Sequence, residues 1–213
     1  METRFREVKA RHNSSIVMRV TPGHFATRHS HINYYVDLTK IKSQHKTARL
    51  AGRELAEPYA RTTPIDTIVC LDGVEVIAAF TALALSESTT QSMNAGSNIA
   101  VITPELNASG QLIFRDNVQS MIWNQGVLLM VASATTGNTI TQAIECIEYY
   151  SGRMCGISAV FSAIPRAGDF DINSIFTAQD VPDYHTFLPA DCPNCKAHQK
   201  IDALVNSYGY SKL

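Results

Sequence analysis

The chain has 213 residues, of which 45% are hydrophobic and 17% charged, with a formal net charge of −1. That length and balance suit one globular domain with a sizeable core and exclude a disordered or collagen-like chain. A near-neutral charge gives no long-range attraction to nucleic acid or an anionic membrane, and no apolar run is long enough to span a bilayer.

In chain order, the opening METRFREVKARHNSS is charged and polar and lacks the apolar segment of a secretory signal. Residues 45–60 place Ala48, Ala51 and Leu55 at helical spacing with charges between them and Pro58 near the end, which predicts a helix. Residues 66–71 (DTIVCL) form a short apolar run suited to a buried strand, and Asp72-Gly73 follows as a turn. The alanine-rich run 76–86 is long enough to be a buried helix. Residues 98–103 (NIAVIT) predict a strand closed by Pro104, and 127–132 predict another. Residues 139–150 carry Ile140, Ala143, Ile144 and Ile147 on one face, the pattern of an amphipathic helix. Residues 156–163 (GISAVFSA) complete the alternation as a strand, and 201–207 predict a short final helix.

Strands that are apolar throughout and alternate with helices imply an α/β fold, a parallel sheet of about five strands with flanking helices. The core is expected over about 42–165. Both termini, about 1–41 and 166–213, are rich in His, Tyr, Phe and Pro, and are expected to form a hood over the mouth of the sheet. No repeat or flexible linker divides the chain. Its five cysteines, an odd number in a chain too large to need staples, fit a reducing cytoplasm better than secretion.

The most informative segment is the apolar strand 127–132 followed by Ser133, Ala134, Thr135, Thr136, Gly137, Asn138 and Thr139. A buried strand, a tight hydroxyl-rich loop and a helix start together make a phosphate cradle, because the first helical turn offers unpaired N–H groups and a partial positive charge. The same residues also read as an ordinary strand-to-helix turn with threonine caps. No acidic residue lies between Gln125 and Glu145, so this loop has no carboxylate for a metal or for sugar hydroxyls.

Other groups carry two readings each. Cys192 and Cys195 have zinc-ligand spacing and need two more ligands, which His198 and His185 or a second subunit could supply; the alternative is a tail turn nucleated by Pro193. His24, His29 and His31 cluster with Tyr34 and Tyr35, either to stack on a heterocycle or as an aromatic segment packing over the core. Asp72 and Glu75 offer hard oxygen ligands to Mg²⁺ or form a solvated turn. Cys70, Cys146 and Cys155 read as small buried apolar residues.

In these residues the chain resembles the type I phosphoribosyltransferases, and their orotate branch in particular. Thr135-Thr136-Gly137-Asn138-Thr139 resembles the family's phosphate loop, with Asn138 where the family has glycine. Gly23-His24-Phe25 and Tyr34-Tyr35-Val36-Asp37 resemble the segment lining the base pocket, which implies Phe25, Tyr34 and Tyr35 as pocket residues. Leu71, Asp72, Gly73 and Val74 stand at the pyrophosphate loop, and Cys192-Pro193-Asn194-Cys195 resembles the ending of some bacterial orotate enzymes.

The departures fall at the chemistry. Val131 and Ala132 stand where the family has paired acids, and the span 103–125, equivalent to the mobile loop, holds Arg115 but no lysine. Phe161-Ser162-Ala163-Ile164 fills the place of a base-contacting arginine, for which Arg166 is the nearest substitute. The resemblance implies a homodimer that binds phosphoribosyl pyrophosphate or a nucleoside monophosphate, assisted by Mg²⁺, and transfers phosphoribosyl to a pyrimidine-like base. The alternative is a catalytically impaired regulator that binds a nucleotide or phosphoribosyl ligand.

Overall fold

The computed structural model describes residues 4–87 and 92–213; residues 1–3, at the head of the polar opening, and 88–91 lie outside the described residues. The central sheet runs in the order Phe170–Thr177, Arg153–Ser162, Gly126–Ala134, Thr67–Cys70, Ala100–Ile102, with every neighbouring pair parallel. A two-residue strand, Arg166–Ala167, adds an antiparallel hairpin at one edge.

The strand Gly126–Ala134 shows why a parallel sheet reads as a continuous apolar run. Leu128, Met130 and Ala132 point into the core shared with the helices His45–Ala60 and Glu75–Ser86. Val127, Leu129, Val131 and Ala134 point the other way, into the core under the helix Asn138–Tyr149. Both faces are covered, so neither tolerates a polar side chain. Each fully buried Val, Leu or Met contributes about 1.5–3 kcal/mol relative to exposure. The two helices on the first face touch at Gly52, where a Cβ would meet Phe80 Cβ at 2.8 Å and the Thr81 nitrogen at 2.8 Å. Only glycine allows that approach.

A second sheet forms the hood. Val17–Ala26 and His31–Asp37 pair antiparallel, Arg6–Lys9 adds to the former and Thr186–Phe187 to the latter. Ala203–Asn206 then lies parallel to Val17–Ala26 and turns into Gly209–Lys212. Phe25, Ile32, Tyr35, Ala203 and Val205 fill the hood's own core. Both termini build the hood, as the sequence implied.

Two elements differ from the sequence reading. The segment 201–207 contains a strand rather than a helix, because its alternating burial and the free edge of Val17–Ala26 favour sheet pairing over a helix of one or two turns. Phe170–Thr177 joins the central sheet although the hood was expected to begin near 166. Among the described residues, no helix is long and apolar enough to cross a membrane.

Candidate phosphate-binding site

The order of strands reverses between Thr67–Cys70 and Gly126–Ala134, which are neighbours in space. The loops after these two strands therefore emerge side by side at the carboxyl edge, the position where open α/β sheets take ligands.

The loop after Gly126–Ala134 is shaped by Gly137, whose φ of 82° lies in the left-handed region. Gly137 has no side chain to cap the helix that starts at Asn138. The first helix bond runs from the Thr141 N–H to the Gly137 carbonyl at 2.9 Å. The N–H groups of Asn138, Thr139 and Ile140 precede that bond and face outward with the positive end of the helix dipole. Thr136, Asn138 and Thr139 are exposed, Thr135 is half-buried and Ala134 is buried beneath them.

Thr135 and Thr136 open onto a cavity of about 370 Å³. Ala163 and Ile164 form a second side, and the hood supplies Ser30 and the run Tyr184 to Leu188. Its lining mixes the apolar residues Ala163, Ile164, Phe187 and Leu188 with Ser30, Tyr184 and Thr186, the Thr186 hydroxyl itself being buried. Burial pushes the Tyr184 hydroxyl up to about 12, with the Thr186 hydroxyl beside it partly offsetting that rise. Tyr184 is thus a neutral donor at physiological pH. Asn33 sets the wall, accepting from the His185 N–H at 2.7 Å and donating from its own N–H to the His185 carbonyl at 3.4 Å. Among the described residues, no lysine or arginine lines the cavity.

The aromatic residues expected in a base pocket lie elsewhere. Phe25 is fully buried in the hood core, 6.0 Å from the Tyr35 ring, and Tyr35 packs against Tyr210 at 5.4 Å. Burial and the nearby Asp37 push the Tyr35 hydroxyl up to about 12. Tyr34 packs half-buried on the main core, beneath Arg6. Strand alternation turns these rings inward, and residues 184–188, of which the sequence marked only His185 and that as a metal ligand, take the wall instead.

The loop after Thr67–Cys70 is built differently. Asp72 and Gly73 both have positive φ, 64° and 72°. The Lys42 ammonium donates to the Asp72 carbonyl at 2.9 Å and to the Ser207 carbonyl, tying the loop to the turn between the last two strands. Leu71 and Val74 are buried, and a Cβ on Gly73 would stand 3.8 Å from the Tyr208 ring. Burial raises the Asp72 carboxyl above its ordinary value, with Ser207 and Lys42 partly opposing. Burial lowers Lys42, with Asp72 and Glu75 opposing. Glu75 accepts a bond from Thr103 at 3.1 Å. Asp72 is half-buried on the loop that Lys42 ties down, and Glu75 is exposed beside it.

At the positions where the resemblance would place charged residues, the described residues are apolar or paired within their own elements. Val131 and Ala132 are buried on opposite faces of their strand, 1% and 2% exposed, where a carboxylate would be desolvated without a partner. The span 103–125 carries the hairpin Glu105–Leu106 and Leu112–Ile113, and Arg115 pairs within it to Glu105 at 2.8 Å. Arg166 pairs with Asp171 at 3.1 Å in its own hairpin and does not line the cavity. Cys70 and Cys146 are buried, and burial raises their thiols, as it raises the half-buried Cys155. Cys192 and Cys195 meet His24 and His31, rather than His198 or His185.

No protein-family model matches the chain, and no curated protein matches its sequence. Solved structures do match. Leishmania donovani UMP synthase gives a TM-score of 0.56 at 19% identity, over 76% of this chain and 34% of that longer one. A phosphoribosyltransferase from Corynebacterium diphtheriae gives 0.52 at 18% identity, over 75% of this chain and 90% of its own. Orotate phosphoribosyltransferase from Mycobacterium tuberculosis, in complex with 5-phospho-α-D-ribosyl 1-diphosphate, gives 0.51 at 18% identity, over 69% and 82%. The chain has the type I phosphoribosyltransferase fold. It is a divergent form of that fold, similar among others to an orotate phosphoribosyltransferase.

Proposed function

We propose that this protein binds the ribose 5-phosphate part of phosphoribosyl pyrophosphate or a nucleoside monophosphate, with the phosphate on residues 134–139. The observation that carries the reading is the cavity in which Thr135 and Thr136 meet the hood beside an uncapped helix start. A phosphate there would accept from the backbone N–H groups and both hydroxyls, charge-assisted bonds worth about 1.5–3 kcal/mol each. The cavity's apolar walls and neutral hydroxyls suit an uncharged heterocycle edge better than a second anion.

The reaction we assign is phosphoribosyl transfer to a pyrimidine-like base, with pyrophosphate leaving C1. That step develops negative charge on the leaving group, and preorganised positive charge there is usually the largest catalytic contribution. Lys42 is the cation at this loop, and it is committed to two carbonyls. Transfer should therefore be slow. The second reading, a regulator that binds without turnover, would account for the buried Val131 and Ala132 and for the pairing of Arg115.

A thermal-unfolding screen with phosphoribosyl pyrophosphate, orotidine monophosphate and other nucleoside monophosphates tests binding. Stabilisation of about 2.7 kcal/mol is expected at a hundred times the dissociation constant. Pyrophosphate release with orotate or other bases, with and without Mg²⁺, separates the enzyme from the regulator. No stabilisation by any ligand would remove both. We further propose a homodimer, supported by the resemblance and rejected by a monomeric mass in light scattering at assay concentration. A cytoplasmic location rests on the five free cysteines.

A further inference from the structure

We infer that His24, His31, Cys192 and Cys195 form a closed tetrahedral zinc site that ties the N-terminal strands of the hood to the C-terminal tail. The four residues come from distant parts of the chain. His24 sits at the irregularity between Pro22 and Phe25, where the pairing register of Val17–Ala26 shifts, and His31 opens the next strand. Cys192 precedes a single helical turn, Pro193–Lys196, which carries Cys195. That turn presents both sulfurs to one point.

The spacing is that of a metal's ligand shell. All four ligand atoms lie within 4.8 Å of one another. His24 Nε2 stands 3.1 Å from His31 Nδ1, 3.5 Å from Cys192 Sγ and 3.6 Å from Cys195 Sγ. His31 Nδ1 is 3.2 Å from Cys195 Sγ. With zinc bond lengths of about 2.0–2.1 Å to nitrogen and 2.3 Å to sulfur, tetrahedral angles place N···N about 3.3 Å and N···S about 3.5 Å apart.

Hydrogen bonding alone does not account for this convergence. His24 Nδ1 faces the Gln199 carbonyl at 3.1 Å, and a carbonyl only accepts, so Nδ1 carries the proton and Nε2 presents a lone pair. That single lone pair faces three partners, one imidazole nitrogen and two sulfurs. A cation at their centre satisfies all of them. The Gln199 carbonyl then plays the outer-shell part that fixes a ligating imidazole's tautomer. Two nitrogens and two sulfurs select zinc over the hard cations Mg²⁺ and Ca²⁺, and four protein ligands leave no open position, so the site is structural. On binding, both thiols lose their protons to solvent and the histidines bind neutral.

The inference is independent of the ligand proposed for the cavity, although it bears on the same wall. Phe187, which lines the cavity, pairs directly with His31. The test uses the full chain produced in zinc-supplemented medium, with metal content measured by mass spectrometry. About one zinc per chain is expected, with near-complete loss in Cys195→Ser and in His31→Gln. Cobalt replacing zinc should give the thiolate charge-transfer and strong visible bands of a tetrahedral S₂N₂ centre. Zinc below about a tenth per chain with no thiolate bands on cobalt titration, or full zinc retained by both variants, would overturn the site. If either variant fails to fold, the cobalt spectrum of the unaltered chain decides.

Discussion

Two loops leave neighbouring strands at the same edge of the sheet, and the chain has treated them in opposite ways. The loop at 135–139 ends on an uncapped helix start and opens into a cavity. The loop at 71–74 is held by Lys42, and its Gly73 lies beside the ring of Tyr208. The first leaves backbone donors and hydroxyls beside a cavity, whereas the second, whose helix start is equally uncapped, has its Asp72 carbonyl taken by Lys42 and is tied through it to Ser207. Under the proposed reading, one of the two loops keeps its place for an anion and the other has become an internal joint. The proposed division follows: the ribose phosphate end of the ligand has a receptor, and the pyrophosphate end meets protein already bonded to itself.

The largest expected effect breaks the open loop. Gly137→Val places a β-branched side chain at positive φ, with its Cβ 3.0 Å from Ile164 Cδ1. The left-handed conformation alone costs roughly 1–2 kcal/mol, and the crowding adds to it, so affinity for phosphoribosyl pyrophosphate by calorimetry should fall at least about tenfold. Unchanged affinity would mean that the loop is not the cradle.

A middle-sized effect tests the closed loop. Lys42→Met leaves the Asp72 and Ser207 carbonyls without their donor, a loss of about 1–3 kcal/mol if water does not replace it. At roughly 2–4 °C per kcal/mol for a chain of this size, the melting temperature should drop by several degrees. Ligand affinity at 135–139 should stay within about twofold. A drop in affinity with no change in melting would show Lys42 serving the ligand instead of the fold.

The smallest effect is a pH dependence. The Asp72 carboxyl is raised in the folded protein by burial, so the folded state holds that proton more tightly than the unfolded chain. Its contribution to stability is greatest below the unfolded value of 3.8 and declines as pH rises from there through the folded value. Asp72→Asn should flatten the stability profile on that side, measured by urea unfolding across mildly acidic pH. An identical slope in both proteins would place the titration elsewhere.

Much of the core was legible because parallel strands must be apolar on both faces. The runs at 66–71, 98–103, 127–132 and 156–163 each fall on a strand, and the helices near 45–60, 76–86 and 139–150 match within a residue or so. Phe170–Thr177 escaped notice because an edge strand needs less cover, and Asp171, Asn173 and Ser174 break its pattern. Phe25 and Tyr35 looked like pocket aromatics, yet the hood has a core of its own that needs large rings. The cysteine pair was visible from its spacing. Its histidine neighbours were not, since nothing local in a sequence says which distant strand will face a tail.

The pairing of Ala203 with Phe25 also sets the order in which the two sheets can close. The central sheet uses residues from Thr67 to Thr177, so all its strands exist while the last 36 residues are still to come. The hood has no such independence, because its sheet spans nearly the whole chain and must close the longest loop in the molecule. During synthesis, Val17–Ala26 is among the first strands made and waits longest for its parallel neighbour. The Ala203 edge is thus the last part of the hood sheet to be set, after residues 184–188 have met His31–Asp37 to make the cavity wall.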